Sequence, residues 1–164
     1  GYLREVGVEL APSAVRSGLE RVCWPGRLEW LPQQLLLDGA HNQAGAAILA
    51  AYLQQQNLHG VHLIFGCKTD KQVLPMLDQL LPFCQCLYAT QPPVEDPADI
   101  KLICEHAAEH NVAVRGFAEP PAALQAARQS RAADELILVA GSLFLVAAIR
   151  EQVVARTDVT AIMR

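Results

Sequence analysis

Short runs of apolar residues alternate with longer mixed stretches over most of the chain. The apolar runs predict five buried strands, at 35–37, 61–65, 84–89, 112–114 with 117, and 135–140. The stretches between them predict helices at 42–56, up to 81, at 98–110, 120–132 and 143–155. Five strand–helix units with almost entirely apolar strands predict an α/β fold. We expect a doubly wound, mainly parallel, Rossmann-like sheet with helices on both faces.

The amino-terminal end is less regular. Residues 1–22 are predicted to be helical with an interruption near Pro12, and Ser13 is a candidate cap for a second helix that reaches Leu19. The stretch WPGR at 24–27 breaks this pattern, because proline and glycine cannot continue a helix. It is therefore a candidate domain boundary.

Two flanking segments and one helix face complete the predicted architecture. Residues 28–31 are predicted to form a short extended segment followed by a turn, and 157–164 a loosely attached tail. The buried stripe of helix 42–56 is expected at Ala44, Ala47, Ile48, Ala51 and Tyr52.

Composition is that of a globular protein. Hydrophobic residues make up 52% and charged residues 18% of the 164 residues, so a sizeable core is expected. The net charge of −4 leaves no basic face, which argues against a nucleic-acid partner. The longest apolar run, 136–149, is too short and interrupted for a membrane span. No signal peptide is recognisable, so a cytoplasmic location is expected; the start without methionine is typical of a fragment.

The five cysteines are expected to be reduced and structural. Their number is odd, and no pair has the CxxC spacing of a redox or zinc site. Cys84 and Cys86 are two residues apart in a predicted strand, so their side chains are expected on one face of the sheet.

The histidines give no strong metal signal. His106 and His110 are four apart on a predicted helix, a spacing that can bind a metal. The HExxH order is missing, however, and neighbouring charged residues usually mark the wet face of a helix. His59 and His62 have no partner at ligand spacing and are expected to be structural. No metal ligand is therefore expected in this chain.

The most distinctive polar cluster is LDGAHN at 37–42, directly after the first buried strand. Ligands of parallel α/β sheets bind in the crevice beyond the carboxyl ends of the strands, so Asp38 and His41 lie where function is expected. A purely structural interpretation uses the same residues as a strand cap, a tight turn and an N-cap at Asn42.

Other polar residues follow the later strands. The segment 66–69 resembles the tail of a P-loop, but neither GxxxxGKS/T nor GxGxxG occurs in the chain. Lys68 and Lys71 are either solvated loop residues or contacts to phosphate or carboxylate. Ser142 can cap the last helix or help its N–H groups bind an anion. Arg27 has the planar charged fork that suits phosphate, although in isolation it is an ordinary surface charge.

These segments, in this order, resemble the C-terminal domain of the folylpolyglutamate synthases, enzymes of the Mur ligase superfamily that in bacteria are often also dihydrofolate synthases. The resemblance rests on WPGRLE (24–29), LDGAHN (37–42), FG followed by DK (65–71), TQP (90–92) and GSLF (141–144). DGAHN together with WPGR favours the folate branch over the peptidoglycan ligases. Gln43 stands where the family often has proline, a mild departure at a helix start.

The resemblance implies an ATP-dependent ligase in the folate pathway. A carboxylate of folate or dihydropteroate would be phosphorylated, and the amine of L-glutamate would attack the acyl phosphate. Residues 25–164 would form the C-terminal domain, and 1–24 the helical tail and linker of the preceding ATPase domain. The P-loop and the Mg²⁺ ligands would lie in the enzyme's own N-terminal region, so this chain alone is expected to be inactive.

The resemblance also implies residue roles. Arg27 would contact the phosphates of ATP, and Asp38 would hold the nucleotide, at its ribose. His41, followed by Asn42, would lie near the reacting phosphate, which makes Arg27 and His41 the catalytic candidates. Arg27 and Asp38 are expected to serve the nucleotide rather than the core. The incoming glutamate would be placed by Ser142 with Lys68 or Lys71.

Two other functions are compatible with these residues. One is a different Mur-type amino-acid ligase with another acceptor, which an upstream folate-binding region would distinguish. The other is a non-enzymatic nucleotide-binding module, which predicts tight nucleotide binding by this chain alone.

Overall fold

The computed structural model describes residues 7, 11–22 and 24–162. The strands are β1 (Glu29–Leu31), β2 (Leu35–Leu37), β3 (Val61–Phe65), β4 (Cys84–Thr90), β5 (Ala113–Phe117) and β6 (Ile137–Ala140). The helices are α1 (Pro12–Glu20), α2 (Gln43–Gln55), α3 (Val73–Leu80), α4 (Ile100–Glu109), α5 (Pro120–Ser130) and α6 (Leu143–Ile162). No helix within these ranges is long and apolar enough to cross a membrane.

The strands form one sheet in the order β1-β2-β6-β3-β4-β5. All neighbours are parallel except β1, which pairs antiparallel with β2. The predicted extended segment is thus an edge strand, joined to β2 by a hairpin in which Gln33 (φ 64°) and Gln34 (φ 53°) are left-handed. The predicted α/β architecture is confirmed, with this sixth strand added to it.

Strand residues alternate between two apolar layers. Leu36 packs with the layer under α2, α3 and α4, whereas Leu35 and Leu37 pack under α5 and α6. Every side chain of β2, β3 and β6 is buried, which explains why these strands read as continuous apolar runs.

The predicted buried stripe of α2 is wrong. The helix buries Ala46, Leu49, Ala50 and Leu53 instead, and Ile48 is 70% exposed. Because α2 is apolar around most of its circumference, two stripes satisfy the helical period, and the one with two leucines faces the sheet. Of the predicted set, only Tyr52 is partly buried.

Cys84 and Cys86 lie on opposite faces, contrary to expectation. Val61 pairs with Cys84 and His62 with Cys86, so Gln85 is an extra residue that forms a β-bulge. Cys84 therefore packs with the layer under α2–α4, and Cys86 with the layer under α5 and α6. Cys67, Cys84, Cys86 and Cys104 are free thiols, and Cys23 lies outside the described residues.

Both chain ends differ from expectation where they are described. Ser13 lies inside α1, whose N-cap is Ala11 and whose first turn holds Pro12, so Ser13 is not the cap. The predicted tail from 157 is helical to Ile162, because α6 continues. The predicted helix before Pro12 falls almost wholly outside the described residues.

His62 is structural, as expected. It is 2% exposed, its Nδ1 lies 2.9 Å from the Tyr88 hydroxyl, and its Nε2 lies 3.0 Å from Oε2 of Glu135. A carboxylate only accepts, so Nε2–H donates to Glu135. The backbone N–H of Ala132 donates to the same oxygen at 2.7 Å. The Ala132 hydrogen bond and then His62 lower the pKa of Glu135.

This lowered pKa predicts a pH-dependent contribution to stability. A carboxylate whose pKa is lower in the folded state stabilises the fold at pH values above the ordinary glutamate pKa. This contribution disappears as the pH falls through the pKa of the folded state. Glu135→Gln should therefore lose less stability than wild type between about pH 5 and pH 3. Urea unfolding across this pH range measures the free energy of unfolding of each variant. Glu95→Gln, in an exposed loop, is the control, and parallel curves for Glu135→Gln and wild type would contradict the prediction.

Candidate functional site

The loops that follow β2, β6 and β3 meet at one edge of the sheet. In the sheet these strands lie side by side in the order β2-β6-β3, although their order along the sequence is β2, β3, β6. The N–H of Gly141 donates to the carbonyl of Ala40 at 2.9 Å. A side chain at Gly141 (φ 109°) would lie 2.7 Å from the carbonyl oxygen of Gly66, so only glycine fits. This contact brings the three predicted polar segments together at the switch point of the sheet.

Asp38 joins the WPGR turn to the end of β2. Its Oδ1 accepts from the N–H of Ala40 and its Oδ2 from the N–H of Leu28, both at 2.9 Å. The N–H of Gly39 also donates to the carbonyl of Gly26 at 2.7 Å. Asp38 is only 8% exposed and both of its oxygens hold backbone amides, contrary to the expectation that it serves the nucleotide rather than the core; its contact with nucleotide stays a prediction.

A second buried carboxylate supports the same turn. Glu29 accepts from the N–H of Gly26 at 2.7 Å, and Nε of Arg150 on α6 donates to both of its oxygens at 3.0 Å. Sequence reasoning missed this pair, because Glu29 and Arg150 are 121 residues apart and each is an unremarkable charge alone. The one hint in the sequence was that Glu29 lies within WPGRLE, a segment that carries the family resemblance.

Arg27 lies on the tip of this turn. Its neighbours Gly26 (φ 72°) and Leu28 (φ 43°) are both left-handed, and a side chain at Gly26 would lie 2.8 Å from Val146. The guanidinium of Arg27 is exposed, in contrast to the buried carboxylates that hold its backbone. A fixed backbone with a free cationic fork suits an anionic ligand that arrives from solvent.

His41 and Asn42 begin α2. The Nδ1 of His41 lies 3.0 Å from the carbonyl of Gly39, which only accepts, so Nδ1–H donates and Nε2 is the ring nitrogen left for a ligand. The amide oxygen of Asn42 accepts from the N–H of Gly45 at 2.8 Å, which makes Asn42 the N-cap. The structural interpretation of Asn42 is confirmed, while its contact with nucleotide stays a prediction.

A pocket of about 250 Å³ opens between these loops. It is lined by His41, Lys68, Lys71, Gly141, Ser142, Leu143 and Phe144. Ser142 is 5% exposed, and its hydroxyl accepts from the N–H of Phe144 at 3.2 Å, so it caps α6 and can still donate to a ligand. A groove of about 620 Å³ is lined by residues of α5 and α6 and by none of the predicted site residues.

The two lysines differ in their surroundings. Nζ of Lys71 pairs with Asp70 at 3.1 Å, which partly neutralises it. Lys68 is half-buried and has no ion pair among the described residues. Burial, and then the charge of Asp70, raises the pKa of Cys67 to about 11, so this neighbouring thiol is neutral and not a nucleophile. Because Lys68 has no ion pair among the described residues and Lys71 is only partly neutralised, the pocket is cationic and suits carboxylates.

The structure groups the predicted site residues in two places. His41, Lys68, Lys71 and Ser142 share the pocket. Arg27 lies in the WPGR turn, and Asp38 binds the residue that follows this turn. The turn reaches the pocket through Gly39, where a side chain would overlap Leu143 and approach the carbonyl of Gly26.

Comparison with known proteins is consistent across sequence and structure. The sequence model of one protein family, described as "Mur ligase, glutamate ligase domain", matches residues 26–143 of this chain. A probable bifunctional folylpolyglutamate synthase/dihydropteroate synthase of Haloferax volcanii is 31% identical over 152 residues, which cover 90% of this chain and 18% of that protein.

Solved structures give the same result. E. coli FolC in complex with DHPP and ADP superposes with a TM-score of 0.81 at 25% identity, over 94% of this chain and 37% of that one. A bifunctional folylpolyglutamate synthase/dihydrofolate synthase with Mn, AMPPNP and L-glutamate bound gives 0.77 at 27% identity, over 92% and 37%. The chain thus spans about a third or less of the curated relatives and about a third of these structures.

Proposed function

Because this chain belongs to the Mur ligase family and matches its glutamate ligase domain, we propose that it is the C-terminal domain of a cytoplasmic folylpolyglutamate synthase. The whole enzyme joins L-glutamate to a carboxylate of folate, or of dihydropteroate where it is also a dihydrofolate synthase. Relatives with these names, and a structure that holds a nucleotide with L-glutamate, support the assignment.

Residues 25–164 form this domain in the proposal, and 1–24 are the helical tail and linker of the preceding ATPase domain. The position of the WPGR turn between α1 and the sheet supports this boundary, as does a family match that starts at 26. The carboxylates near the pocket have other partners, since Asp38 binds two backbone amides and Asp70 binds Lys71. The Mg²⁺ ligands are therefore proposed in the N-terminal region.

The pocket is the observation that carries the proposal. L-Glutamate has two carboxylates and an amine that must stay free to react. Lys68 and the α6 N-terminus at Ser142 offer a cation and N–H donors to one carboxylate, and Lys71 a cation to the other. His41 lines the same pocket, so its Nε2 is placed to hydrogen-bond the reacting groups.

The WPGR turn, together with Asp38, binds the nucleotide in this proposal. ATP provides the phosphoryl group that activates the acceptor carboxylate as an acyl phosphate, with Mg²⁺ to neutralise phosphate charge. Arg27 contacts the phosphates through its fork, and Asp38 accepts ribose hydroxyls with the lone pairs that its two amide partners leave free. Domain closure would bring Arg27 to the phosphates and exclude water.

The first test is ligation by the full-length enzyme containing this domain, followed by Ser142→Ala. Loss of one hydrogen bond to a charged carboxylate should raise the KM for glutamate about 10- to 100-fold, since such bonds contribute about 1.5–3 kcal/mol. The KM for ATP should change little. Steady-state kinetics with labelled L-glutamate and folate measures both.

Ser142→Thr is the matched control, because its hydroxyl keeps both the cap and the donor. A wild-type glutamate KM for Ser142→Ala, with only a lower Tm, would make Ser142 a cap alone. Ligation of another amino acid or acceptor in place of glutamate and folate would point to a different Mur-type ligase.

A further inference from the structure

The outer surface of α3 and α4 carries a side-chain cluster that the proposed ligase site does not use. Asp78 of α3 approaches His106 and His110 at the end of α4, and one donor atom of each lies within 4.8 Å of the other two. Helices of a parallel α/β sheet run opposite to its strands, so these last turns lie at the edge away from the pocket. We propose that the three residues bind one divalent transition-metal ion of the zinc class.

The donor atoms are already close to a coordinating arrangement. Nε2 of His106 lies 2.6 Å and Nε2 of His110 lies 3.7 Å from the same oxygen, Oδ1 of Asp78. Donors of a tetrahedral zinc site stand about 3.3 Å apart, since the zinc–nitrogen distance is about 2.0–2.1 Å. Small side-chain rotations would therefore admit the ion without a movement of either helix.

In His110 the second ring nitrogen is held in the way that metal-binding histidines require, and in His106 it faces a nearby carboxylate. Nδ1–H of His110 donates to the backbone carbonyl of His106 at 2.9 Å, which directs the lone pair of Nε2 towards Asp78. Nδ1 of His106 lies 3.9 Å from Oε2 of Glu109, which offers this ring a carboxylate partner. The two imidazoles thus present Nε2 as the ligand atom.

Charge and access favour a transition metal over Mg²⁺ or Ca²⁺. Two imidazoles with one carboxylate suit Zn²⁺, Ni²⁺ or Cu²⁺, whereas Mg²⁺ and Ca²⁺ prefer oxygen ligands. When the metal binds Nε2 of His106, it displaces the proton that this nitrogen shares with Asp78, and the neutral ring carries its proton on Nδ1, on the side of Glu109. The side chains of Asp78 and His110 are 46% and 43% exposed, so an ion reaches the site from solvent and water completes its coordination.

The site would join two helices that are distant in sequence. Because Asp78 lies 28 residues before His106, the helical spacing of the histidines alone did not reveal it. A metal that binds only the folded state stabilises it, and this one would fix α3 against α4. The proposal assigns metal ligands to a chain in which none were expected.

The test is titration of the 164-residue chain with Zn²⁺ in reducing buffer, by calorimetry and by melting curves. We expect one Zn²⁺ per chain, and a Tm rise of about 5–10 °C when free Zn²⁺ exceeds the Kd about 100-fold. The chelator EDTA should reverse this shift. Mg²⁺ at the same concentration should not reproduce it.

Variants identify the ligands. His110→Ala and Asp78→Asn, both at exposed positions, should each weaken zinc binding more than about tenfold, because even outer-shell partners of metals contribute that much. His59→Ala, an exposed histidine outside the cluster, should bind as wild type does. Melting curves without metal show whether each variant folds. Absence of zinc binding by wild type, or equal affinity for wild type and both cluster variants, would overturn the proposal.

Discussion

Arg27→Ala in the full-length enzyme should lower kcat for glutamate ligation by about 100- to 1,000-fold, the usual effect of removing one donor that stabilises transition-state charge. The affinity for ATP should change less, because the domain that carries Arg27 contacts the phosphates fully only on closure. The melting temperature should not change, since Arg27 is exposed on the turn and lies outside the buried core. Kinetics against ATP and glutamate, with a melting curve, measures all three.

Two further variants sharpen this test. Arg27→Lys should restore little activity, because an ammonium group cannot form the paired hydrogen bonds of a guanidinium. Arg115→Ala removes an exposed arginine from the far edge strand β5 and should behave as wild type. Wild-type kinetics for Arg27→Ala would remove the arginine from the proposed mechanism.

Asp38→Ala should both destabilise the domain and lower activity. The substitution leaves the N–H groups of Leu28 and Ala40 without their acceptor, at a cost of about 2–4 kcal/mol. For a domain of this size the Tm should fall roughly 5–15 °C. Because the amide of Leu28 holds the turn on which Arg27 lies, kcat should fall with stability even at temperatures where the variant is folded.

Asp38→Asn separates the two roles. Its amide oxygen can replace one of the two acceptors, so about half of the stability loss should remain, while a contact to ribose that needs a carboxylate is lost. Asp134→Ala, at an exposed loop position before β6, is the control. A normal Tm for Asp38→Ala would contradict the clamping role, and a normal KM for ATP in Asp38→Asn would contradict the ribose contact.

The Glu29–Arg150 pair extends this interpretation of the turn. Asp38 fixes it from β2, and Glu29 fixes it to α6 through Arg150. The loop that carries Arg27 is therefore attached both to the end of β2 and to α6. Two buried carboxylates with backbone and guanidinium donors give a rigid base to a side chain that must meet a ligand delivered by another domain.

The sequence by itself determined the fold class and the place of the candidate site. Strands buried on both faces must be apolar throughout, so β2, β3 and β6 were visible as continuous runs. Polar residues after such strands must lie at the ligand-binding edge, which located Asp38, His41 and Ser142. WPGR and DGAHN, as local motifs, also carried the family resemblance.

Only the tertiary structure decided the features that depend on contacts between residues far apart in the sequence. Whether Asp38 is exposed depends on the N–H of Leu28, which reaches it through the folding of the turn. A bulge at Gln85 reversed one side chain, a choice set by pairing with β3 and not by the local pattern. The approach of Asp78 to the α4 histidines likewise required the packing of two helices. Local periodicity fixes which elements form, whereas contacts between residues far apart in sequence fix which polar groups share a site.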